Sequence, residues 1–97
     1  MASFNRIGLV ARVASDQVRE SLLTVEQFLF SKGVEIVVEQ VSAAALGGDN
    51  RAISSLEEMG ANCDLLIAVG GDGNILSTAR AMAPFGVPIL GINRGKL

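Results

Sequence analysis

Residues 68–81 read AVGGDGNILSTARA and set one carboxylate, Asp72, among three glycines, Gly70, Gly71 and Gly73. An apolar run precedes this loop and a helix-like run follows it. Glycines let a backbone come close to a ligand, and the free N–H groups of a first helical turn attract phosphate. A negative charge in such a loop repels phosphate unless it has another task. A natural task is to accept the proton of a hydroxyl that attacks a phosphoryl group, as aspartate does in other phosphotransferases. The positive end of the following helix favours the charged carboxylate, the form a base needs. A plainer reading stands beside it: Asp-Gly is a common turn pair, and Asn74 can simply cap the helix. On the local pattern alone, both readings stay open.

Two standard phosphate signatures are absent. G-x-x-x-x-G-K-[ST] requires a lysine after the loop, and the lysines are Lys32 and Lys96. The dinucleotide fingerprint G-x-G-x-x-G fails because Leu76 stands where a third glycine or alanine is needed. The first strand–helix turn, VARVASD, has no glycine at all. Histidine is absent from the chain, which excludes a Ser–His or Cys–His nucleophile and a His-based metal site within these residues. A general base must therefore come from the ten carboxylates or from a tuned Lys or Cys. Cys63, without a histidine partner, reads as a small core or loop residue. Arg80 reads as a solvated or ion-paired helix residue, with phosphate binding as the alternative, Glu57-Glu58 as an exposed helix face, and Met59 and Met82 as core fillers.

The elements that position the loop follow from hydrophobic patterning. Residues 5–13 centre on an apolar run and predict a short buried strand. Ser15 and Asp16 are competent caps for a helix on which Val18, Leu22, Val25 and Leu29 share one face. Lys32 and Gly33 are a helix stop. Residues 34–41, VEIVVEQV, predict a second strand, and SAAALGGDN over 42–50 a loop. Residues 51–59 predict a short helix with Ile53, Leu56 and Met59 inward. DLLIAV at 64–69 has the near-continuous apolar character of a strand covered on both faces. A helix is expected from near Asn74 to about Ala83, ended by Pro84 and Gly86, and then a strand at 87–92 with Pro88 at its start or on an edge. This order predicts a Rossmann-like, three-layer α/β domain with a parallel sheet of about four strands and flanking helices.

The 97 residues suit one small domain, and 49% apolar content is ample for its core. A net charge of −2 supplies no broad positive field for nucleic acid or an anionic membrane, so neither is an expected partner. The N-terminus lacks the pattern of a signal peptide, no apolar run approaches the ~20 residues that span a bilayer, and one cysteine suits a reducing compartment. A cytoplasmic location is expected.

The segments VVEQ, DLLIAVGGDGNILSTAR and PILGINRGKL closely resemble the N-terminal domain of bacterial ATP-dependent NAD kinases, in register across essentially the whole chain. GGDG loops also occur in diacylglycerol kinases, sphingosine kinases and 6-phosphofructokinases. GGDG followed about twenty residues later by GINRGKL is far more specific. The resemblance implies phosphorylation of NAD to NADP at the 2′-hydroxyl of the adenosine ribose, with ATP or polyphosphate as donor and a divalent metal, usually Mg²⁺. By the family pattern Asp72 matches the general base, and Asp72 with Gly73 contacts NAD. Gly70, Gly71 and Gly73 would give close backbone approach to phosphate or ribose. Asn74 stands where threonine is commoner, and either can cap the helix. Asn93, Arg94 and Gly95 would fall at a strand end facing the domain cleft, with Arg94 screening phosphate charge.

The resemblance also implies a second, β-rich domain with an Asn-Asp or Asn-Glu motif that completes the site, and assembly into dimers or tetramers largely through it. The chain stops at GINRGKL, directly after a strand and short of the GFL that usually follows. Residues 1–97 are therefore expected to be an N-terminal α/β domain cut from something longer, with negligible kinase activity alone. Two other readings are a lipid kinase with the same loop, against which GINRGKL argues, and a non-catalytic nucleotide-binding module that would tolerate Asp72→Asn.

Overall fold

A computed structural model describes residues 4–12, 15–48 and 50–94. Its elements run β1 (Arg6–Ala11), α1 (Asp16–Ser31), β2 (Glu35–Glu39), α2 (Gln40–Leu46), β3 (Ile53–Ser54), α3 (Leu56–Asn62), β4 (Leu65–Gly70), α4 (Asp72–Met82) and β5 (Ile89–Asn93). A short 3₁₀ turn over Ala83–Phe85 follows α4, with Pro84 inside it. The five strands are parallel and ordered β3-β2-β1-β4-β5.

Alternation along the strands builds the layers. Ile7, Leu9 and Ala11 of β1, with Ile67 and Val69 of β4, face α1 and α2. Val10 and Leu66 point the other way, into a cluster with Met59 of α3, Cys63 and Met82 of α4. Both faces of the central strands are thus covered, as the unbroken apolar run of β4 predicts. Val18, Leu22 and Leu29 of α1 are buried and Val25 partly so, the face expected from their spacing. Ser15 caps α1, its Oγ accepting the Val18 N–H at 3.3 Å, and Gly33 takes φ +74° just past the helix end.

Four expectations change. Residues 40–46 are helix rather than strand end and loop, because the Glu39 carboxylate accepts the N–H groups of Val41 at 2.8 Å and Ser42 at 3.0 Å and so caps the first turn of α2. Ala43 and Leu46 then bury against the sheet. A fifth strand, β3, pairs Ile53 with Val38 and Ser54 with Glu39, and Ile53 points outward at 53% exposure. Two residues are too few to show alternation in a sequence. The third helix consequently starts later, at Leu56, behind a capping box in which Ser55 and Glu58 satisfy each other's backbone N–H groups. Finally, α4 begins at Asp72 and β5 at Ile89. Pro88 sits just before that edge strand, where its missing N–H costs nothing and its carbonyl accepts the Leu66 N–H at 3.0 Å.

The strand order fixes where a site belongs. From β1 the chain builds β2 and β3 on one side, then crosses back to add β4 and β5 on the other. The carboxyl ends of β1 and β4 therefore flank the topological switch point, where open α/β sheets hold their ligands.

Candidate functional site

Gly70 closes β4 and α4 starts two residues later, so the GGDG loop stands directly at this switch point. The turn needs its first glycine. Gly70 has φ +151°, and a Cβ there would lie 3.2 Å from Asn74 Nδ2. Gly71 occupies the N-cap position with extended backbone, and no side chain caps the helix. Ile75 N–H donates to Gly71 O at 3.1 Å, which leaves the N–H groups of Asp72, Gly73 and Asn74 without intrahelical partners. Asn74 is thus not the cap. Gly71 competes successfully for that position, and Asn74 Nδ2 instead donates to Val69 O at 3.1 Å, lacing the helix to the strand end.

Asp72 occupies the first helical position and is exposed. Its Oδ1 accepts a hydrogen bond from Asn93 Nδ2, across 21 residues of chain. The register explains the meeting: Gly70 pairs with Asn93, the last residue of β5. One residue on, Arg94 N–H donates to Gly70 O at 2.8 Å and binds the β5 end to the loop. The Arg94 side chain is exposed and lines a cleft of about 420 Å³ with Glu20, Ser21, Thr24, Val25 and Ile92, between α1 and the end of β5. Gly73 is exposed too, and a Cβ added there would meet nothing within 4 Å. A helical glycine costs up to about 1 kcal/mol relative to alanine, and no neighbour among the described residues requires it to be small.

The geometry therefore gathers Gly70, Gly71, Asp72, Gly73, Asn74, Asn93 and Arg94 at one sheet end. Gly95 lies outside the described residues. Arg80 sits in the last turn of α4, well along the helix from the loop. Cys63 is buried beside Met59 and Leu66, and burial pushes its thiol above the ordinary range, so it is a core residue. The contact between Asn93 and Asp72 has no local sequence signal, since it exists only through the pairing of β4 and β5.

Two other features bear on chemistry. Among the described residues no three His, Cys, Asp or Glu side chains gather into a group that could hold a metal ion. A divalent cation held by protein side chains alone does not fit, and Mg²⁺ in phosphotransfer sites is carried largely by substrate phosphates and water. A second cleft, of about 540 Å³, lies at the far edge of the sheet beside β2. Its Arg51 and Glu26 side chains are already paired. Arg51 reaches Glu26 with Nε at 2.7 Å and Nη2 at 3.0 Å and donates Nη1 to Gly47 O, and this pairing raises the Arg51 pKa.

The family model of the ATP-NAD kinase N-terminal domain matches residues 7–97. The NAD kinase of Hahella chejuensis is 45% identical over 97 residues, all of this chain and 33% of that protein. The NAD kinase of Pseudomonas syringae pv. syringae is 41% identical with the same coverage. The chain spans about a third of the length of the curated relatives it matches. Among solved structures, a yeast NADH kinase complexed with NADH shares the fold, with TM-score 0.78 at 20% identity over 96% of this chain and 32% of its own. By profile and by relatives, the chain belongs to the ATP-NAD kinase N-terminal domain family.

Proposed function

We propose that this chain is the N-terminal domain of an NAD kinase whose longer form transfers the γ-phosphate of ATP to the 2′-hydroxyl of the adenosine ribose of NAD, giving NADP. The observation that carries the reading is Asp72. An exposed carboxylate stands at the switch point with one oxygen engaged by Asn93, which leaves Oδ2 for a substrate hydroxyl. Family membership supports the same role.

In the proposed reaction Asp72 accepts the hydroxyl proton as the ribose oxygen bonds to the γ-phosphorus. The bond from that phosphorus to the bridging oxygen breaks, and ADP leaves with the electron pair. Asn93 holds the carboxylate in one orientation. The open space beside Gly73 admits ribose or phosphate against the backbone, and the unpartnered N–H groups of the α4 first turn face negative charge. Arg94 screens phosphate at the end of β5. A divalent ion would arrive with the nucleotide phosphates rather than on a preformed cluster of this chain.

A second domain completes the site in this reading, the longer protein assembles as a dimer or tetramer, and it works in the cytoplasm. Family resemblance supports each of these. No described helix is long and apolar enough to cross a membrane. The test is NADP formation from NAD, ATP and Mg²⁺ by the longer protein, run beside the 97-residue chain. NADP from the longer protein and negligible product from the short chain are expected. No NADP from the longer protein contradicts the kinase reading, and robust NADP from the short chain contradicts the need for a second domain.

A further inference from the structure

Phosphate must be brought beside a carboxylate here, and the described residues offer few cations to offset that repulsion. Arg6 is paired with Glu35 at 2.9 Å and Arg51 with Glu26 at 2.7 Å. Arg19 donates to the carbonyls of Ala45 and Leu46, and Lys32 lies over the Phe28 ring. Arg80 sits in the last turn of α4, away from the loop. At the carboxyl end of the sheet stand Arg94, after β5, and Arg12, after β1. Arg12 is exposed, and no carboxylate or carbonyl among the described residues engages its guanidinium.

The register places Arg12. Ala11 pairs with Val69 and Gly70 pairs with Asn93, so the residue after Ala11 stands level with Gly70 and with the residue that holds Asp72. Neighbouring strands are roughly 4.8 Å apart. Arg12 is thus rooted about one strand spacing from the GGDG loop, on the opposite flank of the switch point from Arg94.

Its root is fixed by a device that the strand ladder does not supply. The β1–β2 pairing ends at Leu9 and Val38. Two residues further, the fully buried Ser42 of α2 takes over. Its Oγ accepts the Ala11 N–H at 2.9 Å and stands 3.0 Å from Ala11 O and 2.8 Å from Glu39 Oε1, either of which can take its single proton. The end of β1 is therefore held on both sides, by Val69 and by Ser42, immediately before the arginine.

We infer that Arg12 is a phosphate-binding residue of this site, contacting the phosphate chain of a bound nucleotide from the β1 side while the GGDG loop contacts it from the β4 side. The inference rests on the kinase reading for the identity of the nucleotides, though not for the phosphate contact itself. Guanidinium suits the task because it stays charged and can bond two phosphate oxygens at once. The chain of ATP and the pyrophosphate of NAD share this chemistry, so the experiment separates them.

Arg12→Gln and Arg12→Lys are compared with the parent in the full-length protein, with KM and directly titrated Kd measured for ATP and for NAD separately. Arg12→Gln is expected to weaken one nucleotide roughly ten- to a hundredfold, as loss of a charge-assisted contact does, and the other less than about twofold. Arg12→Lys should restore part of the loss, because the charge returns without the fork. The weakened nucleotide identifies the bound chain. Thermal melting confirms that each variant folds. If Arg12→Gln changes neither affinity by more than about twofold, the inference is wrong whether or not NADP forms. If the parent makes no NADP but its nucleotide affinity falls with Arg12→Gln, the kinase reading fails and the phosphate contact stands.

Discussion

Among the described residues four helices follow strands or turns, and they begin in two different ways. Ser15 closes the start of α1, the Glu39 carboxylate closes α2, and Ser55 with Glu58 closes α3. Helix α4 starts from Gly71 with no side-chain cap, and its own first-turn carboxylate, Asp72, turns instead toward Asn93 on β5. Orphan N–H groups at a helix start normally find a partner within the chain. Where they do not, at the carboxyl end of the sheet and beside the switch point, the arrangement suits something that arrives from outside. The closed starts hold the fold, and the open one serves the proposed site.

The contrast can be broken from the open side first. Gly73→Ala should raise helix stability by up to about 1 kcal/mol, since nothing among the described residues meets the added methyl. The same methyl should lower NADP formation in the longer protein roughly tenfold or more, because small misplacements of a reacting group are expensive in rate. Thermal melts and initial rates on one preparation check both signs together. Equal or higher activity would mean that the space beside Gly73 serves no substrate.

From the closed side the effect is smaller and of a different kind. Ser55→Ala removes the Oγ that accepts the Glu58 N–H in the α3 capping box and should cost about 1 kcal/mol in denaturant unfolding. The rate per folded molecule should not change.

The smallest effect concerns the opposite end of the sheet. Asp64 accepts the N–H groups of Arg6 at 3.0 Å and Asn5 at 2.8 Å, and these bonds hold its carboxyl below the usual carboxylate range. A lowered folded pKa stabilises the protein above the unfolded value of 3.8 and loses that contribution as pH falls through the folded value. Asp64→Asn should therefore melt lower than the parent at neutral pH, and the gap should close below about pH 3.8. Melting curves across that range decide it, and turnover should be unaffected.

Much of this arrangement is legible in the residues. The run DLLIAV has the near-continuous apolar character of a strand buried on both faces, and the glycines after it mark the turn into α4. The Ser15 cap and the spacing of Val18, Leu22 and Leu29 locate α1 equally well. Helix α2 is hidden for a physical reason: glutamate is an uncommon cap, and Gly47-Gly48 just beyond draw the whole stretch toward a loop. Asn74 misleads because asparagine is a favoured cap, while the neighbouring Gly71 takes that position and frees the amide for Val69. At the site, Asp72 is legible from its loop, but its orientation is not. The bond from Asn93 depends on the register between β4 and β5, and the position of Arg12 depends on that between β1 and β4. Register across parallel strands joined by helices leaves no short-range trace.

The central claim is that Asp72 takes a proton rather than merely starting a helix. The direct test is the turnover of the longer protein and its Asp72→Asn variant at saturating NAD and ATP, with NAD affinity and melting temperature measured alongside. Asparagine keeps the size of the side chain and removes the base. The expected result is a loss of at least ~10²-fold in kcat with folding intact, as for removal of a positioned base. Full activity in the variant would contradict the claim and leave Asp72 a turn residue.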